Sequence, residues 1–306
     1  MTIAVLMSTY NGEKYIREQI DSILAQEGCS ITLLVRDDGS TDSTVSILET
    51  YKAEGKLDWY TGRNLGPAKS FLDLLMHSGT ADYYAFSDQD DIWDPDKLAI
   101  AADCLQDIPG PAFYCSNSRL VDGNGEYLGR LCDKRAVPEV RHLKSLLTSL
   151  CGVGGVVGCT MVMNHPLVQT VRNCGVPSNV IMHDVLMRQI CHCIGGTILF
   201  DGRPHMGYRQ HGANVIGVRL DFAGKIRSRL EYAFRKKKVM VEDTMAEILA
   251  LYGEELPPEN LPEIWRVANY RKSIFTRLSL ACSWKLKDVY VIPGIWDRLS
   301  LLWGNR

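Results

Sequence analysis

The sequence predicts an α/β fold, a mostly parallel sheet with helices on its faces, followed by a helical C-terminal region. Three observations carry that expectation. Short apolar runs alternate with segments of helical periodicity through about residue 117. Polar clusters follow the apolar runs. From about residue 221 the composition turns basic, and four of the six tryptophans fall after residue 264.

The first strand is "IAVLMS" (3–8), ended by the polar turn "TYNGEKY" with its Asn-Gly. Ile16, Ile20, Ile23 and Leu24 then recur at helical spacing, which predicts a helix over about 13–26. "ITLLVR" (31–36) is a second buried strand. "DSTVSILETYKAEG" is helical, with Ser40 or Thr41 placed to cap it and Gly55 to close it. "LDWYTG" is a weaker third strand, "NLGPAKSFLDLLMHS" a loop and helix, and "YYAFS" a fourth strand. In "WDPDKL", Asp94 suits an N-cap and Pro95 the first helical position. "AFYCS" (112–116) is the fifth strand.

Past residue 117 the alternation weakens. The glycine-rich "CGVGGVVGCTMVMN" (151–164) disfavours a helix. Its glycines at 152, 154, 155 and 158 suit a bulged strand or a close backbone approach. "IMHDVLMRQICHCIGG" reads as a helix with Asp184 in its first turn, and "MGYRQHGANVIG" as a polar loop. The expected organisation is one domain over 1–220, with halves 1–117 and 118–220, and a mostly helical region over 221–306.

Composition narrows the function classes. With 46% hydrophobic and 23% charged residues the chain has the make-up of a soluble globular protein. A net charge of -2 gives no reason to expect nucleic acid as a partner. No apolar run approaches the roughly 20 residues of a membrane span. The ten scattered cysteines follow no basic leader, so reduced thiols in a cytoplasmic protein are expected. "CHC" at Cys191 to Cys193 fits no common zinc spacing and reads as core.

In a parallel sheet, function sits at the carboxyl edge. Thr9–Asn11, Asp37–Asp38, Asn64 and Asp88–Asp91 each follow a strand or lie on a strand-to-helix loop, so four loops converge on one rim. "SDQDD" places Asp88, Asp90 and Asp91 within four residues. Two like charges about 4 Å apart repel by roughly 4 kcal/mol at an effective dielectric near 20. Water or a cation must relieve that. Magnesium or manganese, held by one or two carboxylates and a diphosphate, would do so.

The ordered set "VLMSTYNGEKYIREQIDSILAQ", "LLVRDDGSTDST", "NLGPAKSF" and "FSDQDDIWDPDKL" resembles the nucleotide-sugar half of family 2 glycosyltransferases, which have the Rossmann-like GT-A fold. "VVGCTMVMN", "MHDVLM" and "YRQHGANVIG" resemble the acceptor-side motifs of bacterial rhamnosyltransferases that build surface polysaccharides such as O-antigen or capsule. The match spans about residues 1–217. It implies inverting, metal-dependent transfer of one sugar from dTDP-L-rhamnose or a UDP-hexose to a glycan acceptor, lipid-linked in that setting. Thr9 and Asn11 would line the nucleotide pocket. Asp38 would accept from the imide N–H of the base, with Asp37 reaching base or ribose. Asn64 and Lys69 would lie near base or phosphate. Asp88 and Asp90 would form the D-x-D pair, with Asp90 on Mn2+ or Mg2+ and His211 joining at the metal or diphosphate. Asp184 would be the general base that takes the acceptor hydroxyl proton. "MHD" replaces the family's common Glu-Asp pair and leaves the part of His183 open.

Plainer readings stand beside these. Asp184 also suits a helix N-terminus, Asp37–Asp38 an ordinary turn, His211 a surface loop, and Trp93 either core or the wall of a sugar pocket. A sugar nucleotidyltransferase would want an Arg- and Lys-bearing glycine loop after the first strand, which "STYNGEKYI" is not. A non-catalytic nucleotide-sugar-binding protein would not need Asp184. The run "KIRSRLEYAFRKKK" (225–238) holds seven Lys or Arg against one Glu. It suits a solvated helical face, or peripheral attachment to an anionic membrane surface assisted by the Trp-rich segment 283–306.

Overall fold

The computed structural model describes residues 1–131, 139–152, 156–212, 239–286 and 295–304. The basic run 225–238 and the glycines at 154 and 155 lie outside the described residues.

The first half alternates as the sequence predicts: β1 (Thr2–Thr9), α1 (Ile16–Leu24), β2 (Ser30–Asp37), α2 (Thr44–Ala53), β3 (Asp58–Thr61), α3 (Pro67–His77) and β4 (Tyr83–Ser87). Then come β5 (Ile92–Trp93), α4 (Lys97–Leu105), β6 (Ala112–Val121), β7 (Tyr127–Leu131), β8 (Val140–His142), α5 (Leu146–Leu150) and β9 (Val162–Asn164). The chain continues through α6 (His165–Cys174), α7 (His183–Cys193) and β10 (Thr197–Arg209). Four helices close it: α8 (Val241–Leu251), α9 (Leu261–Ala268), α10 (Ile274–Ala281) and α11 (Ile295–Leu302).

One sheet organises everything, in the order β3-β2-β1-β4-β9-β6-β10-β5, with β7 beside β6 and β8 beside β10. β1 runs parallel to β2 and β4, β2 to β3, and β6 to β10. β9 is antiparallel to both β4 and β6 and joins them. β1, β2, β4, β6 and β10 therefore end on the same edge. Alternate residues of β1 feed two cores. Ile3, Val5 and Met7 pack with Ile16, Ile20 and Leu98 on one face. Ala4 and Leu6 pack with Phe71, Leu74 and Phe86 on the other, and that core continues into Val241, Ile248, Ile264 and Leu280 of the last helices. Burial on both faces explains why β1 reads as a continuous apolar run.

Several local expectations change. Neither Ser40 nor Thr41 caps α2. Asp42, the next residue, does the capping work, accepting from Thr44 N at 3.0 Å and from the Thr44 hydroxyl at 2.6 Å. Asp94 does not cap α4, because its carboxylate pairs with Arg119. Residues 206–209, expected in a loop, complete β10, because Met206 and Gly207 pair with β5. The glycine-rich stretch resolves into a tight turn at Gly158–Thr160 and then β9. The nine described cysteines are free, and Cys191 and Cys193 are buried, with His192 between them bonded to Ser149 and to the Leu143 carbonyl.

Candidate active site

A cleft of about 400 Å³ opens at the shared carboxyl edge. Asp38 and Asn64 line one part of it, Asp88 and Asp90 another, and Gly158, His183 and Asp184 a third. Residues far apart in sequence thus face one space.

The loop after β4 is fixed by its middle residue. Gln89 Oε1 accepts from the Thr9 hydroxyl at 2.5 Å and from Tyr10 N at 2.9 Å, and its amide donates to the Tyr10 carbonyl. A Cβ on Gly12 would lie 2.3 Å from that Oε1, so the glycine of "YNG" is there for room. Asn11 has a left-handed backbone (φ 49°). Its Oδ1 accepts from Thr41 N, and its own N–H donates to Ser40 Oγ. Thr9 and Asn11 therefore brace three loops together and do not line the cleft.

Asp90 is held twice. His211 Nε2 lies 2.8 Å from Asp90 Oδ2, and Arg209 Nε donates to the Asp90 carbonyl at 2.8 Å. The Arg209 side chain is fully buried. It also reaches the Gly123 carbonyl and Glu18, and lies over the Tyr15 ring, which in turn packs against His211 at 4.8 Å. Asp91 turns the other way: it is fully buried and accepts from Arg209 N. Beneath it Lys97 is buried with its ammonium 3.6 Å from the centre of the Trp93 ring. Burial lowers Lys97 to about 8. Trp93, open as core or pocket wall in the sequence, is core.

Burial, then the nearby Asp90 and Asp184 carboxylates, push Asp88 up to about 7. Burial is the larger cause, and repulsion from the two neighbouring carboxylates adds to it. An oxygen set of Asp88 and Asp90 facing the cleft fits magnesium or manganese. Asp88, Asp91 and Cys159 also place ligand atoms within 4.8 Å of one another. That group fits a cation less well, because it turns inward and Lys97 already supplies positive charge beneath it.

Asp38 is nearly buried. It pairs with Arg36 and accepts from Leu65 N at 2.9 Å and Gly66 N at 2.9 Å. Leu65 N bonds both oxygens, so each carboxylate oxygen accepts two contacts while the residue still lines the cleft. Asp37 is spoken for, accepting from Gly39 N, Ser40 N and the Thr61 hydroxyl, and it does not line the cleft. Asn64 lines it while bonding to Gly66 N. Lys69 is exposed on α3, outside the lining.

Asp184 stands in the first turn of α7, accepting from Val185 N at 2.7 Å, and burial raises it to about 6. His183 lies against Phe71 (ring centres 4.1 Å apart) and edge-on to Phe86 at 5.0 Å. Neither ring nitrogen has a hydrogen-bond partner among the described residues, and burial lowers the imidazole to about 3, so it is neutral. Gln89, Arg209, Tyr15 and Arg36 were missed in the sequence. The one available signal was a cation inside otherwise apolar strands, "TLLVRD" and "HMGYRQ".

A family model described as glycosyl transferase family 2 matches residues 4–169. The chain belongs to glycosyl transferase family 2. Within that family it is 28% identical over 260 residues to a dTDP-rhamnosyl transferase, RfbG of Shigella flexneri, covering 79% of this chain and 85% of the relative. The fold matches S. aureus TarS residues 1–349, solved with UDP, at TM-score 0.56 and 17% identity, over 99% of this chain and 90% of that one. It also matches the mannosyltransferase PcManGT of Pyrobaculum calidifontis, solved with GDP-Man and Mn2+, at TM-score 0.50 and 18% identity, over 99% and 86%. The α/β architecture of this glycosyltransferase is therefore the GT-A one expected. No helix among its described residues is long and apolar enough to cross a membrane.

Proposed function

We propose that this family 2 glycosyltransferase moves one sugar, with inversion, from a nucleoside diphosphate donor to an acceptor hydroxyl. The observation that carries the reading is that Asp184, Asp88, Asp90 and Asp38 line one cleft. A base poised near 6 is ionised at neutral pH yet still basic enough to take a hydroxyl proton as the bond forms. Asp38, which lines the cleft, would accept from the imide N–H of uracil or thymine. Asp88 and Asp90, with His211 beside Asp90, would hold Mn2+ or Mg2+. The cation would supply charge neutralisation at the departing diphosphate. Residues 1–117 then carry the donor and 118–220 the acceptor side, with 221–306 outside the chemistry.

dTDP-L-rhamnose is the favoured donor, supported by the relationship to RfbG, named a dTDP-rhamnosyl transferase. A UDP-hexose is the alternative, supported by TarS complexes with UDP and UDP-GlcNAc. We place the acceptor in bacterial surface polysaccharide synthesis, as a lipid-linked glycan at the inner face of the cell membrane. Calorimetric titration of UDP and dTDP, each with and without Mn2+, tests the core of this. Metal-dependent binding of one of them is expected, and the preferred base selects the donor. Binding of neither, with or without metal, overturns the reading.

A further inference from the structure

Helix α10 uses one side to join the core, through Leu280 and Ala281. Its other side is apolar and exposed among the described residues. Ile274 is 51% exposed, Phe275 80% and Leu278 43%. Positions three and four apart share a helix face, so these three form one patch. Trp284, three residues beyond the helix, is 75% exposed. Soluble chains do not normally hold several large side chains in water side by side.

Charge says what covers this face. Residues 261–286 carry Arg266, Arg271, Lys272, Arg277 and Lys285 against Glu263 alone. Arg271 and Lys272 immediately precede α10, and Arg277 lies on it, donating to the Arg271 carbonyl. Arg271 also pairs with Glu242 at the start of α8, four residues after the run 225–238 with its seven cations and one anion. Together the two segments hold 12 cations and 2 anions, leaving 22 cations against 34 anions in the rest of the chain. Positive charge is thus sorted to the part of the chain that bears the apolar face. A second copy meeting the face two-fold would bring the cationic flanks together. An anionic lipid surface satisfies both features at once, with apolar side chains below the headgroups and cations at the phosphates.

We propose that the α10 face, Ile274, Phe275 and Leu278 flanked by Arg271, Lys272 and Arg277, docks this protein on an anionic membrane surface. The contact needs no nucleotide, so it stands apart from the donor reading. The test is flotation of the full chain with vesicles of phosphatidylcholine, alone or with phosphatidylglycerol, at low and at physiological salt. Binding to the phosphatidylglycerol vesicles, weakened by salt, is expected. Phe275→Ser with Leu278→Ser should weaken it roughly tenfold or more, because the buried apolar area sets interfacial affinity. Lys272→Glu should weaken it too, and both variants should keep the wild-type Tm and nucleotide binding. Absence of vesicle binding at low salt overturns the proposal, and so does undiminished binding by the double variant. A concentration-dependent dimer that Phe275→Ser abolishes, without vesicle binding, would assign the face to a second copy instead.

Discussion

Gly158→Ala is the smallest change that should reach Asp184, the proposed general base. Gly158 does not have a positive φ, so its demand is for room and not for conformation. A methyl there would lie 2.2 Å from His183 Nε2, 3.1 Å from Cε1 and 3.2 Å from Cδ2. Ordinary contact begins at 3.4 Å, so the ring must retreat by 1.2 Å, the difference of 3.4 and 2.2. Phe71 and Phe86 already occupy the space behind it. Overpacking of this kind costs about 1–3 kcal/mol. In a chain of this size that lowers Tm by roughly 2–4 °C per kcal/mol. His183 opens α7 and Asp184 follows it, so the base moves with the ring. A shift near 1 Å in a reacting group costs about 10²-fold in rate. The assay is a double-mutant cycle with His183→Ala, read by urea unfolding and by turnover of the donor that calorimetry selects. Removing the ring makes room for the methyl, so Gly158→Ala should cost much less in that background. Equal costs in both backgrounds, within about 0.5 kcal/mol, would refute the steric argument.

The other expected outcomes concern three residues. Asp184→Asn should keep nucleotide binding and lower transfer by at least about 10²-fold. In the wild type, kcat/KM should fall as pH drops through about 6, where the base becomes protonated. The same raised carboxyl binds its proton more tightly folded than unfolded, so its contribution to stability is lost as pH rises from its ordinary 3.8 through about 6; Asp184→Asn should flatten that part of a Tm-versus-pH curve. Arg209→Met removes the buried cation that holds the Asp90 carbonyl and Glu18, and should cost about 3 kcal/mol in urea unfolding. Asp90→Ala should abolish the Mn2+ dependence of nucleotide binding, and unchanged dependence in calorimetry would remove Asp90 from the metal.

The alternation of strand and helix was legible in the sequence because β1 and β4 are buried on both faces and the strands of the first half are flanked by turn residues. The ending of "WDPDKL" was not. Asp94 has the spelling of a cap, but Arg119, 25 residues on, claims its carboxylate. Nor was β9, whose three residues carry no periodicity to read. For the site, Asp38, Asp88, Asp90 and Asp184 could be picked out because carboxylates at strand and helix ends advertise themselves. Thr9, Asn11 and Asp37 looked alike in sequence but bond to neighbouring loops. Their bracing partners lie 24 to 80 residues away, Thr61 for Asp37 and Gln89 for Thr9, where no local pattern points. Arg209 reaches Glu18 across 191 residues, which no local pattern records.

The three residues of β9 also set the order in which the chain can fold as it is made. When residues 1–121 have emerged, β4 and β6 are complete but lack the strand between them. The strand that joins them, pairing Tyr84 and Phe113 to Met163, is still about 40 residues from being synthesised. Until then two sheet edges stay open. A chain cut after residue 121 would keep those edges for good and should precipitate, whereas one extended through α6 can close them. The N-terminal half of the sheet is thus completed by residues translated after it.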